Sequence, residues 1–168
     1  MTIPDSAERA FGTHEAFERD EEGDGYLLTT TVFETRVIAA ETDGWANRYT
    51  LTVRTPMLST AVDGEVGPDL ESGWFDTLRR RLEDAPGAVR EDVELSAFEL
   101  RQEGPDAVAE FSFEWGNADR APHIAKAFAE YAEGTYVEGI IPGFDYGEPV
   151  DSLLSTASQG DERSGTPL

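Results

Sequence analysis

Residues 106–115 read DAVAEFSFEW, and the pattern of this stretch determines how the neighbouring elements must pack. Apolar and polar side chains alternate along it, which is typical of a β-strand with one buried and one solvent-facing side. A row of aromatic rings on one face needs a covering layer, because a sheet buries such a face against another element. The apolar face carries Ala107, Ala109, Phe111, Phe113 and Trp115, and the polar face carries Asp106, Glu110, Ser112 and Glu114.

The following segment predicts the helix that supplies this layer. Asn117 or Asp119 can cap it, and Pro122 is tolerated because it lies in the first turn. Gly134 is the expected end of the helix. With a preceding strand near residues 92–101, the region predicts two strands under one helix. The inward stripe of that helix, at helical spacing, is Ile124, Phe128 and Tyr131, with Ala121, Ala125 and Ala132 beside it.

The remaining elements predict an α+β fold, with an antiparallel sheet of four to five strands and helices packed on one face. The expected order is α-β-β-(β)-α-β-β-α. Residues 26–31 and 33–41 are rich in β-branched and aromatic residues and form either one long bent strand or two short ones. The other predicted elements are a helix from Asp5 whose inner stripe includes Phe11, His14 and Phe17, a strand over residues 48–55 and a helix over residues 72–83.

The domain organisation follows from a change in composition near residue 148. Residues 5–148 are expected to form a single α+β domain. Residues 149–168 are dominated by Ser, Gly, Asp and Thr, and they predict a disordered acidic tail, because few apolar side chains remain to offset the entropy of ordering.

The charge of the chain is strongly one-sided. It has 35 acidic and 13 basic residues, a net charge of −22, and Lys126 is its single lysine. Such a composition is typical of a salt-rich cytoplasm, where screening reduces the self-repulsion of the folded state. We therefore expect a halophilic, cytoplasmic protein, and the alternative is an ordinary acidic mesophilic protein. The first residues show no signal sequence, and no apolar run approaches the length of a membrane span.

The same composition argues against several classes of partner and chemistry. Nucleic-acid binding needs a basic stripe, so we expect no nucleic-acid partner, and we expect no membrane partner. The chain has no cysteine, which excludes thiolate chemistry and cysteine-based metal sites. With 35 acids, close carboxylate pairs arise by chance, and the acidic run 20–24 is expected to be a solvated surface. We expect no cofactor and no metal site.

The two histidines do not predict a catalytic centre. His14 lies in the apolar stripe of the first helix, where a structural role is expected, and His123 is expected at the surface or at an interface. The run His14-Glu15-Ala16-Phe17-Glu18 is similar to the metalloprotease pattern His-Glu-x-x-His, but Glu18 replaces the second ligand. No phosphate-binding loop or nucleophile elbow is present, so no catalytic residue is predicted.

Two stretches and the overall composition carry a resemblance to known proteins. The features that carry it are the stretches Gly25-Tyr26-Leu27-Leu28-Thr29-Thr30-Thr31 and 134–147 and the use of arginine in place of lysine. In these features the chain resembles a haloarchaeal family of small acidic proteins of unknown function, over residues 5–150. The element order is also similar to that of type III secretion chaperone and YbjN-type domains. The second likeness is one of topology without a diagnostic motif, and neither likeness supplies a catalytic residue.

Two groups of residues are candidates for a binding surface. The segment 135–146 combines apolar side chains with Gly and Pro, and it either packs over the sheet or forms an exposed patch for a partner. Its candidate partner-binding residues are Tyr136, Ile140, Ile141, Phe144 and Tyr146. The second group is the positive cluster Arg79, Arg80 and Arg81, which either pairs with acids of its own helix or binds an anion or an acidic partner.

These observations support two functional hypotheses. The first is a non-catalytic protein-interaction or chaperone-like module, acting as a homodimer or with a protein partner. The alternative is a small enzyme or ligand-binding protein that uses carboxylates on an unidentified substrate. A stable stoichiometric partner in concentrated KCl would favour the first, and a ligand held in an acidic pocket would favour the second.

Overall fold

A six-stranded antiparallel sheet with the strand order β1-β2-β3-β4-β6-β5 forms the centre of the molecule. The computed structural model describes residues 3–164, with side-chain positions through residue 157. The strands are β1 (Phe17–Arg19), β2 (Tyr26–Leu28), β3 (Glu34–Glu41), β4 (Asn47–Pro56), β5 (Ala97–Glu103) and β6 (Asp106–Trp115). The helices are α1 (Asp5–Thr13), α2 (Leu58–Ala61), α3 (Pro68–Leu82), α4 (Ala121–Glu138) and α5 (Val150–Ser164).

The core lies between strands β4 and β6 and helix α4. Strand β6 pairs along its whole length with β4, from Asn47 opposite Trp115 to Pro56 opposite Asp106. The predicted inward face is confirmed, since Phe111 and Phe113 are fully buried. The Phe128 ring on α4 lies 5.9 Å from the Phe111 ring and 5.4 Å from the Phe113 ring. The α+β prediction is confirmed, with six strands in place of four to five.

The first half of the chain contains more short elements than the sequence predicts. The stretch 26–41 forms two strands, β2 and β3, which pair antiparallel. Helix α1 ends at Thr13, and Phe17 begins the edge strand β1 instead of continuing the helix. His14, in extended conformation, turns the chain at this point. Both Phe11 and Phe17 are still buried, with ring centroids 4.9 Å apart. The predicted stripe therefore keeps its apolar contacts, although Phe17 lies on a strand and not on the helix.

Helix α4 is longer than predicted, because Gly134 does not end it. The helix continues to Glu138, and no glycine with positive φ lies at position 134. Thr135 and Tyr136 are both buried against the core. Burial of a large aromatic side chain contributes more than the ~1 kcal/mol that glycine costs inside a helix. The predicted loop therefore begins only after Glu138.

The predicted disordered tail differs from the structure over residues 150–164. This segment forms helix α5, with Val150 and Leu153 buried in the core cluster. The composition of the whole tail is polar, but these two side chains lie one turn apart and give the helix a narrow apolar contact. The last four residues of the predicted tail, 165–168, lie outside the described residues.

The outer face of the sheet carries arginines that pair with acids across the strands. Arg48 contacts Glu114 at 3.2 Å, and Arg54 contacts Glu103 at 3.0 Å. Val108 on β6 lies opposite Arg54 on β4 and opposite Arg101 on β5. Its side chain is fully buried although it belongs to this outer face. The aliphatic stems of the two arginines explain this burial, because long charged side chains cover apolar surface while their charged ends stay in water.

Asp20 is a further difference from the sequence-based interpretation. It was expected to belong to a solvated acidic run, but it is buried and lies 2.8 Å from Arg36 on β3. Its second carboxylate oxygen accepts a hydrogen bond from the Glu22 N–H at 3.0 Å. The residue therefore anchors the β1–β2 connection to the sheet.

Candidate functional site

The predicted partner-binding residues do not all lie in one loop. Tyr136 is in the last part of α4 and is fully buried. Its hydroxyl donates a hydrogen bond to the Pro56 carbonyl at 2.9 Å, and its ring contacts Phe33 and Trp74 edge-on. Burial raises the pKa of Tyr136 well above its ordinary range. In this structure Tyr136 is a core residue that ties α4 to the end of β4.

The remaining four candidates lie in the connection between α4 and α5 and are half-buried against the core: Ile140, Ile141, Phe144 and Tyr146. The Tyr146 hydroxyl closes this connection, since it donates to the Ile141 carbonyl at 2.6 Å and accepts from the Ile141 N–H at 3.1 Å. The Asp63 N–H donates to the Asp145 carbonyl at 2.7 Å, and Val62 forms a bridge with Tyr146. The segment is held in place by the structure around it and still exposes part of its apolar side chains.

The positive cluster lies in the last turn of α3. Arg79 contacts Asp76 at 3.0 Å, and its guanidinium lies 5.0 Å from the Phe75 ring centroid. Arg80 donates to the Asp76 carbonyl at 3.4 Å. Arg81 approaches Glu138 at 4.0 Å, and both side chains of this pair are largely exposed, at 49% and 76%. Among the described side chains, Arg79 is therefore paired within its helix, whereas Arg81 has only a long, solvated contact.

A groove of about 420 Å³ brings members of the two candidate groups together. It lies between α3 and the C-terminal end of α4. Ile141 from the connecting segment and Arg81 from the positive cluster both line it. The other apolar lining residues are Leu70, Trp74 and Leu78, and the polar ones are Asp69, Thr77, Thr135 and Glu138. Gly73 and Gly139 also line it, and a Cβ at Gly73 would meet nothing within 4 Å.

Leu70 lines the groove although it lies outside every helix and strand that the sequence predicts. Helix α3 begins at Pro68, four residues before its predicted start, because Pro is favourable in the first turn of a helix. Leu70 thereby becomes a helical residue at four-residue spacing from Trp74, on the same side of α3. It is 42% exposed, one of the few large apolar side chains that the described residues leave open to solvent. A helix start assigned at Pro68 from the sequence would have placed Leu70 on the same helix face as Trp74.

The two histidines meet at the junction of α1 and α4, although they are 109 positions apart in the sequence. Their ring centroids are 4.9 Å apart at an interplanar angle of 74°. His14 Nδ1 accepts a hydrogen bond from the Ala16 N–H at 3.1 Å, so in the neutral ring the proton is on Nε2. A metal ion at Nε2 would require the other tautomer and would break this bond. The geometry agrees with the expected structural role of His14.

Protonation of His14 is opposed by its surroundings. Burial lowers the pKa of His14 below its ordinary value, and the nearby His123 and Lys126 add to this effect, while Glu15 acts in the opposite direction. The unfolded state therefore binds the proton more readily than the folded state. Stability is complete above the unfolded pKa of about 6.5 and falls as the pH decreases through 6.5 towards the lower folded pKa.

We expect unfolding midpoints in urea, measured between pH 5.5 and 7.5 in constant molar KCl, to decrease on the acidic side. His14→Asn should reduce this pH dependence, because an asparagine oxygen can accept the Ala16 N–H without titrating. His123→Asn should also reduce it, because His123 is one of the neighbours that oppose protonation of His14. Equal pH slopes in the wild type and His14→Asn would show that His14 does not contribute.

Within residues 3–164, no group of three or more His, Cys, Asp or Glu is placed to hold a metal ion. In the same part of the chain, no helix is both long enough and apolar enough to cross a membrane.

Comparison with known protein families identifies a match that covers most of the chain. The family of unknown function DUF5813 matches residues 12–156, from the end of α1 into α5. No curated protein and no solved structure matches the chain.

Proposed function

The chain belongs to DUF5813, a family of unknown function, and we propose from its geometry that it is a non-catalytic protein-interaction module. The proposed binding surface is the groove between α3 and the C-terminal end of α4. Its occupant is a short apolar segment of a partner protein that carries an acidic side chain next to its apolar anchor. The observation that carries the proposal is that exposed apolar residues and a weakly paired arginine line the same groove.

The apolar part of the groove accounts for the anchor. Leu70 and Ile141 lie partly open, above a buried floor that contains Trp74 and Leu78. A volume of about 420 Å³ holds a few side chains and is too small for a whole helix. Binding energy at such surfaces concentrates in a few desolvated apolar and aromatic residues. One or two inserted side chains are therefore enough to define the complex.

The charged rim accounts for the acidic group. With a net charge of −22, most of the surface repels an acidic partner. The end of α3 is an exception, since Arg79, Arg80 and Arg81 follow one another there. Arg81 reaches Glu138 only at 4.0 Å, so a partner carboxylate can replace this contact at little cost. The guanidinium fork also favours a carboxylate, because it can donate two parallel hydrogen bonds.

We also propose that the protein acts in the salt-rich cytoplasm of a haloarchaeon. The net charge of −22 and the presence of a single lysine support this setting. In molar salt, long-range attraction is screened, and apolar anchoring becomes relatively more important for binding. Holding an apolar segment of another protein is a chaperone-like mode of action.

The test is affinity capture from a salt-rich extract in concentrated KCl, with the wild type and two groove variants. Ile141→Ala removes an apolar contact, and Arg81→Glu reverses the charge of the rim. We expect each variant to bind the captured partner about tenfold or more weakly, equal to ~1.4 kcal/mol. Val32→Ala is the matched control, because Val32 is 51% exposed and does not line the groove.

Melting temperatures show whether the variants remain folded, and light scattering shows whether the purified protein is a dimer. Arg81→Glu should melt close to the wild type, because its ion pair is solvated. Capture that is equal in the wild type and in both groove variants would refute the groove as the binding surface. A dimer of the purified protein that both variants dissociate would make a second copy the occupant and would refute binding of a different protein there.

A further inference from the structure

Trp45 is an exposed aromatic residue held on a well-defined turn. It lies between β3 and β4 and is 87% exposed. Thr42 fixes the turn, since its hydroxyl donates to the Ala46 carbonyl at 2.6 Å and accepts from the Gly44 N–H at 3.2 Å. An indole ring in contact with water is unfavourable, and the turn gives it little freedom to fold back. The turn therefore presents the ring to solvent.

Gly116 provides the surface on which the Trp45 ring lies. A Cβ at position 116 would come within 1.7 Å of Trp45 Cζ3 and within 2.1 Å of Cη2. The indole thus packs directly on the backbone that follows β6, which is possible only where no side chain intervenes. One part of the ring rests on the protein, and its exposed surface remains available to a ligand.

The surroundings of Trp45 are acidic and contain a second indole. A depression of about 620 Å³ is lined by Trp45, Trp115, Glu114 and Asn117. Two neighbouring depressions share Glu114 with it and add Asp43 on one side, and Asp92 and Glu94 on the other. Glu114 is paired with Arg48 at 3.2 Å and keeps 43% of its side chain exposed. The site thus combines an open aromatic face with an excess of carboxylates.

We propose that this site, here called the Trp45 site, binds the guanidinium group of an arginine on a partner protein. The face of an indole carries partial negative charge and attracts a cation placed over it. Carboxylates beside the ring can pair with the same cation. Arginine fits better than lysine, because its flat, weakly hydrated guanidinium both stacks on a ring and forms a two-bond contact with a carboxylate. The negative charge of the site therefore favours a cationic ligand.

The molecule itself contains two examples of this contact. Arg79 lies over the Phe75 ring at 5.0 Å, and Arg19 lies over the Tyr26 ring at 5.5 Å. Among the described residues, Trp45 has no such arginine. The Trp45 site is also on a different part of the surface from the groove between α3 and α4, and it shares no lining residue with it. The two proposals can therefore fail separately.

The experiment follows the three indole N–H signals in two-dimensional NMR spectra of the full chain. The probe is the peptide acetyl-Gly-Arg-Gly-Arg-Gly-amide, with matched lysine and citrulline peptides, titrated in dilute buffer and in molar KCl. The sequence contains three tryptophans, Trp45, Trp74 and Trp115, so single Trp→Phe variants assign the signals. We expect a saturable shift of the Trp45 signal, with the arginine peptide binding about two- to fivefold more tightly than the lysine peptide.

Two pairs of variants test the parts of the site. Glu114→Gln should weaken binding of the arginine peptide about two- to fivefold. Glu99→Gln should not, although Glu99 is also paired with an arginine, Arg101, at 3.2 Å. Gly116→Ala should displace the exposed indole and weaken binding without unfolding the protein. The control Gly134→Ala should bind normally, since a Cβ there meets nothing within 4 Å.

The outcomes separate the proposal from its alternatives. Equal and unsaturable shifts with the arginine and lysine peptides would mean nonspecific attraction to an acidic surface and would overturn the proposal. Shifts with the citrulline peptide equal to those with the arginine peptide would also overturn it, because charge would not matter. Binding that survives Trp45→Ala would place the ligand elsewhere. The proposal is supported if Trp45→Ala removes the saturable shifts that the peptide causes in the Trp115 indole and the neighbouring backbone amide signals, and if Glu114→Gln binds about two- to fivefold more weakly, with both controls normal.

Discussion

Replacing Phe111 with alanine should lower the free energy of unfolding by about 3–5 kcal/mol. Phe111 is fully buried at the centre of β6, with the Phe98 ring 5.0 Å away and the Phe128 ring stacked at 5.9 Å. Truncation removes the apolar contacts of the ring and leaves a cavity between the sheet and α4, which neighbouring rings can fill only in part. Urea denaturation in molar KCl measures the change.

The neighbouring residue provides the control for this prediction. Glu110 lies on the outer face and contacts Arg101 at 2.8 Å. Glu110→Ala should change stability by no more than about 0.5 kcal/mol, because the pair is partly open to solvent and Arg101 keeps Glu99 and Glu103 as partners. Equal losses for the two variants would contradict the assignment of the two faces of β6.

The melting temperature should rise by about 10 °C or more between dilute buffer and 2 M KCl. The chain holds a net charge of −22 in a folded domain, and its repulsion is screened when the Debye length falls to about 3 Å. At about 3 °C per kcal/mol, such a rise corresponds to ~3 kcal/mol of added stability. Differential scanning calorimetry over a series of KCl concentrations measures it.

A variant with fewer charges tests the cause of the salt effect. Glu21→Gln, Glu22→Gln and Asp24→Asn together remove three negative charges from an exposed run. Asp20 should be left intact, because it is buried and pairs with Arg36. The triple variant should melt higher than the wild type in dilute buffer and respond less to salt. A melting temperature that is flat in KCl would remove the physical argument for a halophilic protein.

Much of the central fold could be predicted because its signals are local. The alternation along 106–115 needs only neighbouring residues, and it set the inward face that Phe111 and Phe113 occupy. The same holds for the stripe containing Ile124 and Phe128 on α4. Element ends were less predictable. Gly134 lies inside a helix because the burial of Tyr136 outweighs the local preference of glycine.

The candidate site could be predicted only in part. Ile141 is predicted as a candidate because it is an apolar residue among Gly and Pro. Arg81 is predicted because it belongs to a positive cluster. Their common position in one groove depends on how α3 packs against α4, and no spacing in the sequence records that packing. Tyr136, by contrast, is one of the partner-binding residues that the sequence predicts, whereas the structure places it in the core.

The sequence by itself determined the α+β class, the two faces of β6 and its covering helix, and the acidic character of the surface. These properties follow from composition and from periodicities of two and 3.6 residues, which act within a single element. Only the tertiary structure decided that His14 meets His123, that Trp45 lies on Gly116, and that Val150 and Leu153 order the start of α5. The physical reason is that each of these contacts depends on packing between separate elements, and that packing is set by the whole core.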